Sequence, residues 1–200
     1  MRTRRTEEIK MTNTCQLSNN TIDYVKRYRC ILDTMIENMT SVCLTDSISA
    51  NFIKQMIPHH RAAIEMSENL LRFTTCIPLQ NIAQNIICSQ KESICSMEAI
   101  CSECSRRRNT PRALNYYQRS NECILRNMFR EMHTACTDNC IDANFMREMI
   151  PHHRGAVLMS QNALKFCICP ELKPILESII DSQEKGVQEM QQLLGEITQK

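Results

Sequence analysis

The sequence predicts an all-α protein, and three observations support this fold class. The chain of 200 residues contains only three glycines and six prolines, and it is rich in Leu, Ile, Met, Glu, Gln and Arg, which favour helices. Apolar residues recur three and four positions apart along several long stretches, which is the spacing of an amphipathic helix. A shift of 93 residues aligns one half of the chain with the other. We therefore predict a four-helix bundle built from two duplicated three-helix units that are related by a pseudo-twofold axis.

The internal repeat runs without a gap from residue 24 to about residue 101. Within it, Cys30-Ile31-Leu32 matches Cys123-Ile124-Leu125, and the hexapeptide MIPHHR occupies residues 56–61 and again residues 149–154. A match of this length indicates a duplication. The predicted organisation is a polar N-terminal tail at 1–20, a first repeat unit at 21–104, a linker at 105–111 and a second repeat unit at 112–200, with both units packed as one helical domain.

Each unit is predicted to contain three helices. In the first unit the helices run from Asp23 to about Cys43, from about Ile48 to Phe73 and from about Leu79 to Cys104. In the second unit they lie near residues 112–136, 140–166 and 171–197. Thr45-Asp46-Ser47 separates the first two helices and supplies an N-cap, and Thr110-Pro111 begins the fourth helix in the same way. Pro58 lies inside the second helix, where it removes a backbone hydrogen bond and is expected to kink the helix.

Composition and charge exclude several classes of protein. The net charge of +2 gives no reason to expect a nucleic-acid partner, and no apolar run reaches the roughly 20 residues that span a membrane. No protein partner is indicated. Residues 1–20 contain no apolar segment of a secretory signal, so we expect a cytoplasmic protein, with an exported protein as the alternative. The 13 cysteines are then free thiols in a reducing compartment, and their odd number rules out full internal pairing.

The two MIPHHR copies contain four of the five histidines, and each copy is followed by a methionine, Met66 or Met159. On a helix, residues three, four and seven apart share a face, so Met56 lies on the face of His59 or His60. Thioether sulfur and imidazole nitrogen together suit copper(I), and silver(I) by the same softness. Zinc accepts histidine and cysteine but gains little from methionine.

Adjacent histidines on a helix project about 100° apart, so His59 and His60 are not expected to bind one ion together. We predict that one ring of each pair faces the seam between helices and the other its edge.

A structural role is the alternative for methionine at helical spacing, and core packing is favoured for four methionines: Met35, Met39, Met128 and Met132. His133, beside Met132, is a candidate for an added site in the second unit.

The cysteines leave two alternatives open. Cys101-x-x-Cys104 and Cys167-x-Cys169 each have a spacing that could hold a soft metal ion as thiolates, or could serve packing alone. Core packing is favoured for the four cysteines that recur in both units: Cys30, Cys43, Cys123 and Cys136.

Familiar catalytic motifs are missing. No Glu lies three residues before any histidine, which argues against a di-iron carboxylate site. The chain also has no Gly-rich phosphate loop, no nucleophile elbow and no His-Glu-x-x-His motif. We therefore expect a protein that is not an enzyme.

The string FIKQMIPHHRAAIEMS, followed by Gln90 and Met97, resembles the family called domain of unknown function 305. FMREMIPHHRGAVLMS, followed by Gln183 and Met190, resembles it equally well, and the likeness covers roughly residues 45–100 and 138–195. The resemblance implies a ferritin-like bundle, and some members, the CopM-type proteins, look like copper binders that use Met and His. Carried over to this sequence, it implies a set of candidate ligands: Met56, His59, His60, Met66, Met97, Met149, His152, His153, Met159 and Met190.

The leading hypothesis is a copper(I) protein that acts in metal buffering or resistance, with silver(I) or zinc as alternative ions. A structural or interaction bundle without metal is the second hypothesis. A thiol or metal redox enzyme that uses Cys101 and Cys104 is the third. It is the least favoured, because Leu194 and Ile197 stand at the matching positions of the second unit.

Overall fold

The computed structural model describes residues 16–199, and within this range all regular structure is helical. The predicted all-α class is therefore confirmed. The six helices are α1 (Asn19–Thr40), α2 (Ile48–Leu71), α3 (Ile77–Cys104), α4 (Pro111–His133), α5 (Ile141–Leu164) and α6 (Leu172–Thr198). Residues 1–15 of the predicted N-terminal tail lie outside the described residues, as does Lys200. No helix within 16–199 is both long and apolar enough to cross a membrane.

Side-chain caps determine where three of the helices begin. Ser47 accepts a hydrogen bond from the backbone N–H of Ala50 at the start of α2, and Thr110 accepts one from Ala113 at the start of α4. Both caps lie where the sequence predicts them. Ser18 caps α1, so this helix begins at Asn19, four residues before the predicted Asp23.

The helices α2 and α5 each continue past an internal proline, Pro58 or Pro151. Proline has no N–H to donate, so the carbonyl four residues earlier loses its usual helical partner. Each helix is buried on both sides of the proline, and this packing keeps it a single element. In each copy the proline directly precedes the histidine pair.

Four helices form the centre of the molecule. The helices α2, α3, α6 and α5 contact one another in a closed ring, in that order. The helix α1 packs on α2 from outside the ring, and α4 packs on α5 in the same way. We call α2, α3, α5 and α6 the central helices.

One main hydrophobic cluster fills the space between the helices. Its largest fully buried side chains include Tyr24, Tyr117, Phe52 and Phe145. The four methionines for which core packing is predicted are buried, and that prediction is confirmed: Met35, Met39, Met128 and Met132.

The matching prediction for cysteine is wrong. The four cysteines that recur in both units are exposed: Cys30, Cys43, Cys123 and Cys136. The outer helices α1 and α4 bury only one face, and Cys30 and Cys123 lie on the other. The remaining two lie beyond the ends of these helices, in the loops that precede α2 and α5.

Candidate metal centre

Two histidines, one from each MIPHHR copy, meet where α2 contacts α5. The rings of His59 and His152 stack with their centroids 3.7 Å apart and their planes 29° from parallel. Both side chains are fully buried. The Nε2 of His152 lies 3.2 Å from the carbonyl oxygen of His59. Because a carbonyl only accepts, this contact places the proton on Nε2 and leaves a free lone pair on Nδ1 of His152.

The second histidine of each pair faces a different helix. The centroids of His59 and His60 are 5.9 Å apart, and Nε2 of His60 lies 3.0 Å from the Oγ of Ser93 in α3. His153 instead packs against Gly186 in α6. The neighbouring rings diverge, as the helical geometry predicts. The expectation that one ring lies at an edge is wrong, because both rings of each pair are buried between helices.

Burial keeps all four imidazoles neutral. It lowers the pKa of His60 to about 3 and that of His152 to about 4. Burial, together with the neighbouring histidines, also lowers the pKa of His59 and of His153 well below the ordinary value. A neutral imidazole has a lone pair on one nitrogen, and this is the form that binds metal ions.

Within the described residues, many polar atoms of this cluster have no hydrogen-bond partner. They are both ring nitrogens of His59, the Nδ1 atoms of the other three histidines, both amide atoms of Gln90 and the Oε1 of Gln183. A buried polar atom without a partner costs about 1–3 kcal/mol, so a group of them indicates a place for a ligand. The two glutamines are not among the ligands that the sequence predicts, although each lies seven residues before Met97 or Met190 and shares a face with it.

The six candidate methionines all lie in the main hydrophobic cluster. Each has an exposed fraction of 2% or less: Met56, Met66, Met97, Met149, Met159 and Met190. Among residues 16–199, no three side chains of His, Cys, Asp or Glu are placed together to hold a metal ion. An ion between the histidines would therefore need thioether sulfur or amide oxygen to complete its coordination.

Polar cavities lead to the second histidine of each pair. A cavity of about 260 Å³ between α3 and α6 reaches His60 and is lined by Gln90, Gln183 and several serines. Another, of about 450 Å³, reaches His153 beside Gly186. These cavities give a small hydrated ion a polar approach to the buried rings.

The added site that the sequence suggests at His133 is not formed. His133 is exposed while its neighbour Met132 is buried, so the two side chains do not face a common site.

Comparison with known proteins decides the family. The model of the family described as Domain of unknown function (DUF305) matches residues 49–194. The chain belongs to the DUF305 family. No curated protein sequence matches it.

Solved structures similar to this DUF305 chain include CopM and a DUF305 fragment. CopM in the Ag-bound form is 27% identical, with a TM-score of 0.57, and the match covers 76% of this chain and 98% of CopM. CopM in the Cu(II)-bound form is also 27% identical, with a TM-score of 0.55 and coverage of 74% and 96%. A DUF305 fragment from Deinococcus radiodurans is 22% identical, with a TM-score of 0.54 and coverage of 74% and 96%, and it supports the fold alone.

Proposed function

We propose that this protein binds a soft metal ion, above all copper(I), in the cluster around His59 and His152. It serves in metal buffering or resistance and carries out no catalysis. The observation that carries this proposal is the set of five ring nitrogens without partners on four buried, neutral histidines. Such an arrangement is costly unless a ligand occupies it.

Histidine and methionine are the ligands we assign to this ion. Imidazole nitrogen suits several metals, but thioether sulfur favours copper(I) and silver(I) over copper(II) and over hard cations. Methionine sulfur is available from the same core, and the amides of Gln90 and Gln183 can complete or orient the site. Silver(I) is the second choice of ion and zinc the third.

The relatives support metal binding at the level of the family. CopM has been solved with silver and with copper(II) bound, and it shares 27% of its residues with this chain. We infer further that the central helices form a ferritin-like four-helix bundle with the stacked histidines on a pseudo-twofold axis. The closed ring of helix contacts supports this arrangement.

Copper(I) titration against a chromogenic chelator tests the proposal. The exposed thiols are first alkylated, so that they do not compete for the ion. We expect the double variant His59→Gln, His152→Gln to lose at least tenfold in affinity, because the central pair of imidazole rings, with three of the five unpartnered nitrogens, is removed. His133→Ala is the matched control, since this histidine is exposed, and it should bind like the parent protein. Equal affinity for the parent protein and the double variant would overturn the proposal.

A structural role without metal is the second candidate, and the complete burial of the six methionines favours it. On this view the thioethers only fill the core. A thermal melt with and without copper(I) separates the two functions, because an ion that binds only the folded state raises the melting temperature. Protein purified without an affinity tag that contains no metal, and that melts identically with and without copper(I), would support the structural role.

A further inference from the structure

Two cavities between α3 and α6 correspond to each other under the internal repeat. One reaches His60 and the other reaches His153, and most residues that line the first match residues that line the second after a shift of 93. Gln183 lines both cavities. Its exposed fraction is 3%, and its Oε1 has no hydrogen-bond partner within the described residues. An unpartnered buried acceptor in a polar cavity is available to a cation that passes through it.

The two cavities differ at the histidine ring. In the His60 cavity the Oγ of Ser93 lies 3.0 Å from Nε2 of His60 and so occupies that nitrogen. The matching position in the His153 cavity is Gly186, which has no side chain. A Cβ added at Gly186 would lie 2.9 Å from Cδ2 and 3.1 Å from Nε2 of His153, so this edge of the ring faces the glycine directly. The hydroxyl that covers His60 therefore has no counterpart at His153.

The side chains that line the His153 cavity suit a soft cation. Cys88 is exposed and lines this cavity but not the His60 cavity. Two carboxylates and one ammonium group also line it, those of Glu92, Glu189 and Lys185, which leaves one negative charge. The Nζ of Lys185 lies 3.8 Å from the Oε1 of Glu189. In the His60 cavity Ser96 stands at the position that matches Glu189. A soft ligand and an uncovered ring are thus combined in one of the two cavities.

We propose that copper(I) or silver(I) reaches the histidine cluster through the His153 cavity, and that Cys88 takes the ion from a complex with a small thiol. This inference rests on the proposed function, because it concerns how the histidine cluster is loaded. Thiolates are soft ligands that select these ions, so small thiols in solution hold them as thiolate complexes. The exposed thiol of Cys88 offers the ion an equivalent ligand beside the buried ring.

Loading by this route is a sequence of ligand exchanges without electron transfer. The bond from the metal to the small thiol breaks as a bond to the Sγ of Cys88 forms, and the proton of Cys88 passes to the departing thiolate. The metal–Sγ bond then breaks as a bond to a ring nitrogen of His153 forms, and Cys88 regains a proton from solvent. Burial lowers the pKa of His153 well below its ordinary value, so the ring is neutral and has the required lone pair.

A bulky residue at each cavity tests the route. Asn85 and Ser178 are exposed and stand at matching positions, and the first lines the His153 cavity whereas the second lines the His60 cavity. Protein labelled with carbon-13 at histidine Cε1 is mixed with copper(I) bound to glutathione, without oxygen, and the histidine resonances are followed in time. We expect Asn85→Trp to load at least about fivefold more slowly than the parent protein, and Ser178→Trp to load at the parent rate. Equal loading rates in the two variants, or slower loading in Ser178→Trp alone, would overturn the route.

A second pair of variants tests the role of the thiol. Cys95 is exposed on the same helix as Cys88 but lines neither cavity. Cys88→Ala should slow loading at least about fivefold and leave the affinity at equilibrium within twofold of the parent value, because Cys88 holds the ion only in transit. Cys95→Ala should change neither quantity. Loading of Cys88→Ala at the parent rate would show that Cys88 does not take up the ion.

Affinity and loading rate separate this proposal from the proposed function. A large loss of affinity in the double variant His59→Gln, His152→Gln, together with equal loading rates in the two tryptophan variants, would overturn the route alone. Histidine resonances of the parent protein that do not respond to copper(I) would overturn the route and the histidine site together.

Discussion

Glu148 is a buried carboxyl group at a position where the two halves of the chain differ. Its exposed fraction is 3%, and the hydroxyl of Tyr24 donates to its Oε2 at 2.5 Å. The matching residue of the first half is Gln55, a neutral side chain that donates to the carbonyl of Met39 and accepts from Asn121. Burial raises the pKa of Glu148 from its ordinary value of 4.5 to about 8.

We predict that Glu148→Gln removes a pH-dependent loss of stability. The pKa of Glu148 is higher in the folded than in the unfolded protein, so its contribution is fully present below pH 4.5 and is lost as the pH rises through about 8. Relative to the variant, the parent protein should lose up to about 1.4 kcal/mol for each pH unit in this window. Urea unfolding from pH 5 to 9 measures the difference, and parallel pH profiles would show that the carboxyl group is not the cause.

Gly186 provides the space that His153 occupies. A Cβ at this position would lie 2.9 Å from Cδ2 and 3.1 Å from Nε2 of His153, whereas a Cβ at Gly195 on the same helix would meet no atom within 4 Å. The matching residue in the first half is Ser93, whose hydroxyl contacts His60. The close approach of α6 to His153 therefore requires a residue without a side chain.

We predict opposite effects for alanine at these two glycines. Gly195→Ala should stabilise the protein by about 0.5–1 kcal/mol, because alanine favours the helix. Gly186→Ala should be destabilising by about 1–3 kcal/mol, because the buried ring must move. Urea unfolding at one pH compares them directly. An equal gain for both variants would mean that His153 is free to shift.

At the scale of the helix, Ser47 connects the start of α2 to the end of α3. Its hydroxyl accepts from the N–H of Ala50 at 3.3 Å and donates to the carbonyl of Cys104 at 2.8 Å. Thr110 caps α4 through Ala113 in the same way, but it is exposed and caps only its own helix. A comparison of the two caps therefore separates the effect of losing an N-cap from the effect of losing the buried hydrogen bond to the carbonyl of Cys104.

We predict that Ser47→Ala destabilises the protein by about 2 kcal/mol and Thr110→Ala by about 1 kcal/mol. Both variants lose a cap, but only the first leaves a buried carbonyl without its partner. Thermal unfolding followed by circular dichroism measures both. Similar losses in the two variants would show that water reaches the carbonyl of Cys104.

The helices could be predicted from the sequence, because helical spacing, caps and prolines are local signals. The Ser47 and Thr110 caps are predicted correctly, whereas the cap at Ser18 lies before the first apolar position and leaves no clear periodic signal. The exposure of Cys30 and Cys123 could not be predicted in the same way. It depends on which face of an outer helix meets its neighbour, and cysteine occurs on either face.

At the scale of the whole molecule, the site is a product of tertiary packing. The repeated MIPHHR segments identify the four histidines, but the stacking of His59 on His152 depends on the crossing of α2 and α5, which are far apart in sequence. Periodicity places residues on a face of one helix and does not give the relative position of two helices.

We propose that a soft metal ion binds among the buried histidines of α2 and α5. The most direct test is anomalous diffraction from crystals of the reduced protein grown with copper(I), measured at the copper absorption edge. We predict an anomalous peak within bonding distance of a ring nitrogen of His59, His60, His152 or His153, with methionine sulfur beside it. Anomalous peaks that lie only at cysteine sulfurs, with no peak at the histidine cluster, would contradict this proposal.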